Sequence, residues 1–158
     1  MIVDCHAHLV PPELLAAIRQ GAAKFPNVRQ IEDGGGLALA FAGGKPTRPV
    51  SKPLSDIAGR VAWMRKNGID KQVVGGWVDI FGYELPGVEA ESWARLTNDA
   101  LRAAAKSEPH FVPLATVPLG DGVRAAAVLK DAIKTGFAGA MIGTLPRGVG
   151  STLDAADL

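Results

Sequence analysis

Ile2-Val3-Asp4-Cys5-His6-Ala7-His8 opens the chain, and Leu9-Val10-Pro11-Pro12 follows at once. Two histidines one residue apart face the same way only on an extended backbone, where side chains alternate with period two. On such a strand residues 2, 4, 6 and 8 share one face. Val3, Cys5 and Ala7 make the opposite, wholly apolar face, suited to packing under a helix. The prolines stop the strand, so both imidazoles lie at its carboxyl end, where parallel α/β folds keep their chemistry. Imidazole is the commonest protein ligand for zinc-like ions, and two from one strand tip can share a metal. The other reading of the pair is a polar strand end satisfied by hydrogen bonds.

The rest of the composition sets bounds on partners. The chain has 158 residues, 47% of them apolar and 21% charged, with a net charge of +1. It can bury a substantial core, and nothing in it suggests a nucleic-acid surface, an acidic partner or disorder. Cys5 is the single cysteine, which excludes an internal disulfide and fits a reducing, cytoplasmic setting. No stretch reads as a secretory leader or a membrane span, so no membrane partner is expected.

Beyond the first strand the chain alternates. Pro11 to Ile18 reads as a helix start, with proline in the first turn and Leu14, Leu15 and Ile18 on one face. Residues 28–50 hold two short extended runs joined by Gly34-Gly35-Gly36, a small β insertion of hairpin or meander type. Ser55-Asp56 caps a helix that runs to Asn67-Gly68. Gln72–Val78 is a second core strand, Glu89–Ser107 a long helix, His110–Pro118 a third strand, Asp121–Thr135 a helix and Gly139–Gly143 a fourth strand. Ser151-Thr152-Leu153-Asp154 resembles another helix cap. Strands alternating with helices give right-handed βαβ units and a parallel sheet. A closed (βα)8 barrel takes eight strands and about 250 residues, so the expectation is an α/β domain over residues 1–158 that forms the front half of such a barrel. Trp63, Trp77 and Trp93 read as core packing. Gly34-Gly35-Gly36 and Gly148-Val149-Gly150 lack the strand–turn–helix context of a phosphate loop.

Three stretches carry a resemblance. They are Val3–His8 with Pro11 after it, Thr97–Leu101 followed by Pro109–Pro118, and Gly136–Thr144. Together with the β insertion they resemble the amidohydrolase-related decarboxylases of the aminocarboxymuconate-semialdehyde and resorcylate type, over the front half of such an enzyme. The resemblance implies a divalent metal, zinc first and manganese second, held by two histidines, a third histidine and an aspartate. It implies another histidine as general acid/base and a small unsaturated or aromatic carboxylate as substrate. By motif position His6 and His8 carry over as metal ligands. Arg48 matches an arginine that grips a substrate carboxylate; a solvated loop charge is the alternative. Asp79 and Tyr83, just after the second strand, are on the side of a pocket mouth, although loop polarity accounts for them equally well. Asp4 is expected one layer below the histidines, hydrogen-bonded and orienting, and Cys5 is expected to pack against helices.

The remaining ligands and the acid/base would fall on strands five to eight, beyond residue 158, so no catalytic residue is assigned within the chain. His110 precedes its strand, about 23 Å from the far tip at ~3.3 Å per residue, too far to reach the metal. Decarboxylation is favoured over hydrolysis by the β insertion and Arg48; a hydrolase of the same superfamily would use the same metal pair. Two histidines leave the metal short of ligands, so the chain alone is expected to be inactive. It would work with its missing C-terminal half or as a homo-oligomer, or else be a non-catalytic split remnant.

Overall fold

The computed structural model describes residues 1–21, 24–33 and 36–145. Strand β1 spans Val3–Leu9 and helix α1 spans Pro12–Gln20, followed by a hairpin of β2 (Val28–Asp33) and β3 (Gly36–Phe41). A single-turn helix α2 (Lys52–Ser55) precedes α3 (Ile57–Lys66). Then come β4 (Lys71–Gly76), α4 (Gly87–Ser107), β5 (Phe111–Ala115), α5 (Gly122–Lys134) and β6 (Gly139–Ala140). The long strands form one sheet in the order β1-β4-β5-β6, with all three pairings parallel. This is the expected α/β arrangement, an arc of a βα barrel with β1 and β6 as its edges. The expected helix cap at Ser151–Asp154 and the Gly148-Val149-Gly150 stretch lie outside the described residues.

Local signals account for the helices. Pro12 starts α1, where its missing N–H costs nothing. The Asp56 side chain accepts the Gly59 N–H at 2.8 Å, and Asp121 accepts the Arg124 N–H at 3.0 Å, capping α3 and α5. Gly68 at φ 67° ends α3, with the Ile69 N–H returned to the Met64 carbonyl; a left-handed residue there favours glycine. Helix α4 buries Ala90, Trp93, Ala94, Thr97, Ala100, Leu101 and Ala104 along one stripe. The sheet's outer face packs Ala7, Leu9, Val74, Phe111 and Ala115 against Val61, Met64, Leu101 and Ala132.

The predicted β insertion is an antiparallel hairpin, paired from Val28↔Phe41 to Asp33↔Gly36. Its aromatic residues anchor it. Phe25 and Phe41 pack edge-on against Trp93 with ring centroids 5.2 and 5.4 Å away. Asn27 donates from its backbone and its amide to Glu89 at 3.0 and 2.7 Å. The segment after β3 runs back along it, with Thr47 N–H on the Leu39 carbonyl and Val50 N–H on the Leu37 carbonyl. Arg48 is held between those two contacts.

Three expectations are corrected. Strict alternation along β1 fails because the register slips between Asp4 and Ala7: Asp4 pairs with Gln72, yet Ala7 pairs with Val74. Cys5 and His6 together face one residue of β4, which is a β-bulge. Gln72 and Val74 share a face, so Asp4 moves onto the Ala7 face instead of lying beneath the histidines. Cys5 is exposed, not packed under a helix, because it lies in the bulge, off the face that Ala7 presents to the helices. Trp63 is 50% exposed, since its side of α3 has no neighbouring element among the described residues. Trp77 and Trp93 are buried as expected.

Candidate functional site

The carboxyl end of β1 brings the two histidines together despite the bulge. Their ring centroids are 4.8 Å apart at an interplanar angle of 89°. His6 is exposed and His8 half-buried. His8 Nδ1 lies 2.9 Å from the Gly76 carbonyl oxygen at the end of β4. A carbonyl can only accept, so Nδ1 carries a hydrogen, and in the neutral ring the lone pair falls to Nε2. That is the tautomer a metal-ligating imidazole needs, with its other nitrogen fixed by a backbone carbonyl. The residues fit a cation in that respect. Among the described residues, no group of three or more His, Cys, Asp or Glu side chains is placed to hold one.

Behind the histidines lies a hydrogen-bonded polar layer. Gln72 donates to Asp4 Oδ2 at 2.8 Å and accepts from Arg60 Nη1 at 3.1 Å. Arg60 Nη2 donates to the His8 carbonyl at 3.0 Å and the Pro53 carbonyl at 2.8 Å. Asp4 also accepts the His6 N–H at 3.2 Å, within the bulge. Burial holds the Arg60 guanidinium below its usual range, and nearby Asp4 partly offsets that. Arg60 was not anticipated from sequence. Its signal was available: a lone arginine in the Ile57/Val61/Met64 stripe of a helix. A cavity of about 690 Å³ opens along this strand edge, lined by Asp4, His6, His8, Arg60, Trp63 and Gln72 among others.

Arg48, Asp79 and Trp77 form a second cluster at the carboxyl end of β4. Arg48 donates through Nε to Asp79 Oδ2 at 2.9 Å and through Nη2 to Asp79 Oδ1 at 2.8 Å. Its guanidinium carbon sits 5.3 Å from the centre of the Trp77 ring. The Asp79 bond, aided by its charge, raises the Arg48 pKa further. Trp77 directly follows Gly76, whose carbonyl holds His8, so the two clusters meet at the end of one strand.

Tyr83, in the loop after β4, lines a cavity of about 300 Å³ with Asp79, Phe81 and Gly143. Its hydroxyl oxygen accepts the Gly143 N–H at 3.0 Å. Burial pushes its pKa up from 10.0 to about 12, and the Gly143 bond opposes that. Because the folded value is raised, the stability tied to the neutral phenol is intact below about 10. It is lost as pH rises toward about 12. Tyr83 is the only tyrosine, so the change in near-ultraviolet absorbance on alkaline titration, to which the non-ionising tryptophans add a constant background, follows its phenol. We expect its ionisation near 12, and a flatter alkaline stability profile in Tyr83→Phe; ionisation near 10 would show that the ring is not buried. His110 lies at the amino end, its Nδ1 2.9 Å from the Asp70 carbonyl, far from both clusters.

No family model matches the chain. It is 29% identical over 128 residues to a 2-amino-3-carboxymuconate-6-semialdehyde decarboxylase of Caenorhabditis elegans, covering 80% of this chain and 31% of that protein. Its fold matches that of the Metarhizium anisopliae IDCase in apo form at a TM-score of 0.67 and 17% identity, over 94% of this chain and 43% of the other. A 5-carboxyvanillate decarboxylase of Novosphingobium aromaticivorans, complexed with manganese and 4-hydroxy-3-methoxy-5-nitrobenzoic acid, matches at 0.63 and 20% identity, over 94% and 43%. The chain spans less than half the length of each. No helix among the described residues is long and apolar enough to cross a membrane. In sequence the chain resembles the amidohydrolase-related decarboxylases of the aminocarboxymuconate type, and it folds as part of their βα barrel.

Proposed function

We propose that this chain is the front part of a metal-dependent decarboxylase of a small unsaturated or aromatic carboxylate. His6 and His8 supply two metal ligands, and Arg48 grips a carboxylate. The observation that carries this reading is the His8 Nδ1–H bond to the Gly76 carbonyl, which leaves Nε2 free beside the His6 ring. A divalent ion bound there, zinc or manganese, supplies Lewis acidity and electrostatic stabilisation. Gln72 and Arg60 brace the strand that presents the imidazoles, the one through Asp4 and the other through the His8 carbonyl. Arg48 offers a planar fork that pairs both oxygens of a carboxylate. Loss of CO2 leaves the bonding pair on carbon, which must take up a proton; that acid, and further ligands, come from outside residues 1–158. A catalytic zinc takes three protein ligands beside its open position, and this pair supplies two, so the chain by itself is expected to be inactive. Activity returns with a C-terminal half, supplied by further sequence, a partner or a second copy. The single cysteine, an exposed free thiol, suits a reducing cytoplasm.

Calorimetric titration of the chain with Mn2+ and Zn2+ tests the pair. We expect one ion per chain. His6→Ala and His8→Ala should each weaken binding by at least the roughly 10- to 100-fold cost of losing an outer partner. Equal binding by both variants and the parent would remove the metal from this account.

A further inference from the structure

Arg48 sits in a stretch without regular secondary structure, and its side chain is 73% exposed, whereas that of Asp79 is only 19% exposed. A long cationic side chain in such a place ordinarily samples many rotamers and loses entropy when fixed. Here it is fixed twice over. Asp79 takes the Nε/Nη2 edge with two charge-assisted bonds, and Trp77 lies under the plane. The Nη1 side is left facing solvent, next to the strand end that bears His8's partner Gly76. We propose that Asp79 and Trp77 are positioning residues that hold Arg48 rigidly by its Nε edge, so that its Nη1/Nη2 edge is presented to an incoming carboxylate. The inference rests on the carboxylate-binding reading above and adds to it a named pair that sets affinity.

Two roles for Asp79 predict opposite signs. A carboxylate that merely competes for the guanidinium repels an incoming anion, and its removal tightens binding. A carboxylate that orients the guanidinium makes binding weaker when removed, because Arg48 must then be ordered by the ligand itself. Asparagine cannot replace it, since its amide oxygen accepts from one N–H while its NH2 opposes the other.

The test is benzoate binding to the intact chain by calorimetry, with benzamide as the carboxylate-free control, for the parent, Arg48→Met and Asp79→Asn. Asp79→Ser is the second variant should Asp79→Asn fold poorly. A proton–nitrogen NMR spectrum follows the Arg48 Nε–H resonance. We expect Arg48→Met to weaken benzoate at least about tenfold, as loss of a charge-assisted pair does. Asp79→Asn should weaken it about threefold to tenfold by freeing the side chain. The Nε–H signal, sharp in the parent, should broaden in Asp79→Asn, and benzamide binding should stay unchanged throughout. If Arg48→Met loses benzoate while Asp79→Asn binds as tightly as the parent or tighter, the positioning role is overturned and the carboxylate grip stands. If Arg48→Met binds benzoate like the parent, the grip and its positioning both fall, and the histidine pair is left to the metal titration.

Discussion

Trp93→Ala is expected to lower the stability of the chain by about 3–5 kcal/mol, the range for truncating a buried large aromatic residue. Trp93 is 0% exposed, and three elements close on it. Phe25 and Phe41 from the hairpin side meet it edge-on. Its Nε1–H donates to the Ile80 carbonyl at 2.8 Å, in the loop after β4. Gly82, at φ 70°, passes so close that a Cβ there would lie 2.9 Å from the indole. Truncation therefore opens a cavity shared by the hairpin, α4 and the β4 loop, and also strands a buried carbonyl. With total stabilities of about 5–15 kcal/mol for ordinary domains, such a loss removes much of the margin. Urea unfolding would measure it, with Trp93→Phe retaining ring contacts and losing distinctly less. A loss below about 1 kcal/mol would mean that the hairpin is not docked as described. The hairpin delivers Arg48, so the same variant should also weaken any carboxylate binding.

Asn98→Ala ranks second, at about 2–4 kcal/mol, because it orphans two buried backbone groups at about 1–3 kcal/mol each. Asn98 Nδ2 donates to the Thr116 carbonyl at 2.9 Å, and Thr116 N–H donates to Asn98 Oδ1 at 2.7 Å. The β5 ladder stops at Ala115, so the next peptide finds its partners on the helix. The amide donates from its nitrogen and accepts at its oxygen, whereas an ionised carboxylate only accepts. Asn98→Asp, nearly the same shape without the donor, should therefore also destabilise; a neutral Asn98→Asp would refute the two-way exchange. The effect reaches the histidines through contact. A Cβ on Gly76 would lie 2.8 Å from the Thr116 hydroxyl, so the Thr116 side chain packs against the residue whose carbonyl fixes His8. Loosening it should lower metal affinity as well as stability.

Much of this was legible in the sequence, for identifiable reasons. The βα alternation is visible because Pro12, Asp56, Gly68 and Asp121 punctuate it and because α4 carries a regular apolar stripe. The hairpin was readable from two extended runs around Gly34-Gly35-Gly36. The approach of His6 to His8 followed from spacing and strand-end position. What spacing could not reveal was the bulge at Cys5–His6. Period-two reasoning assumes an unbroken ladder, and a single slip reassigns Asp4 and exposes Cys5. Trp63 was misplaced for a related reason: an apolar side chain on a helix stripe is buried only if another element covers it. The Arg48–Asp79–Trp77 cluster was hidden because its members are 29 to 31 positions apart and are joined only when the hairpin folds over the end of β4.

Because the β1 ladder is interrupted at Cys5–His6, a strand laid along its other side cannot pair with it at even spacing. It meets two short stretches out of step by one residue. A bulge of this kind re-aims the side chains beside it and ends regular pairing on both sides of the strand. The irregularity that sets Asp4 against Gln72 thus also narrows the registers open to any strand that pairs beside the histidines.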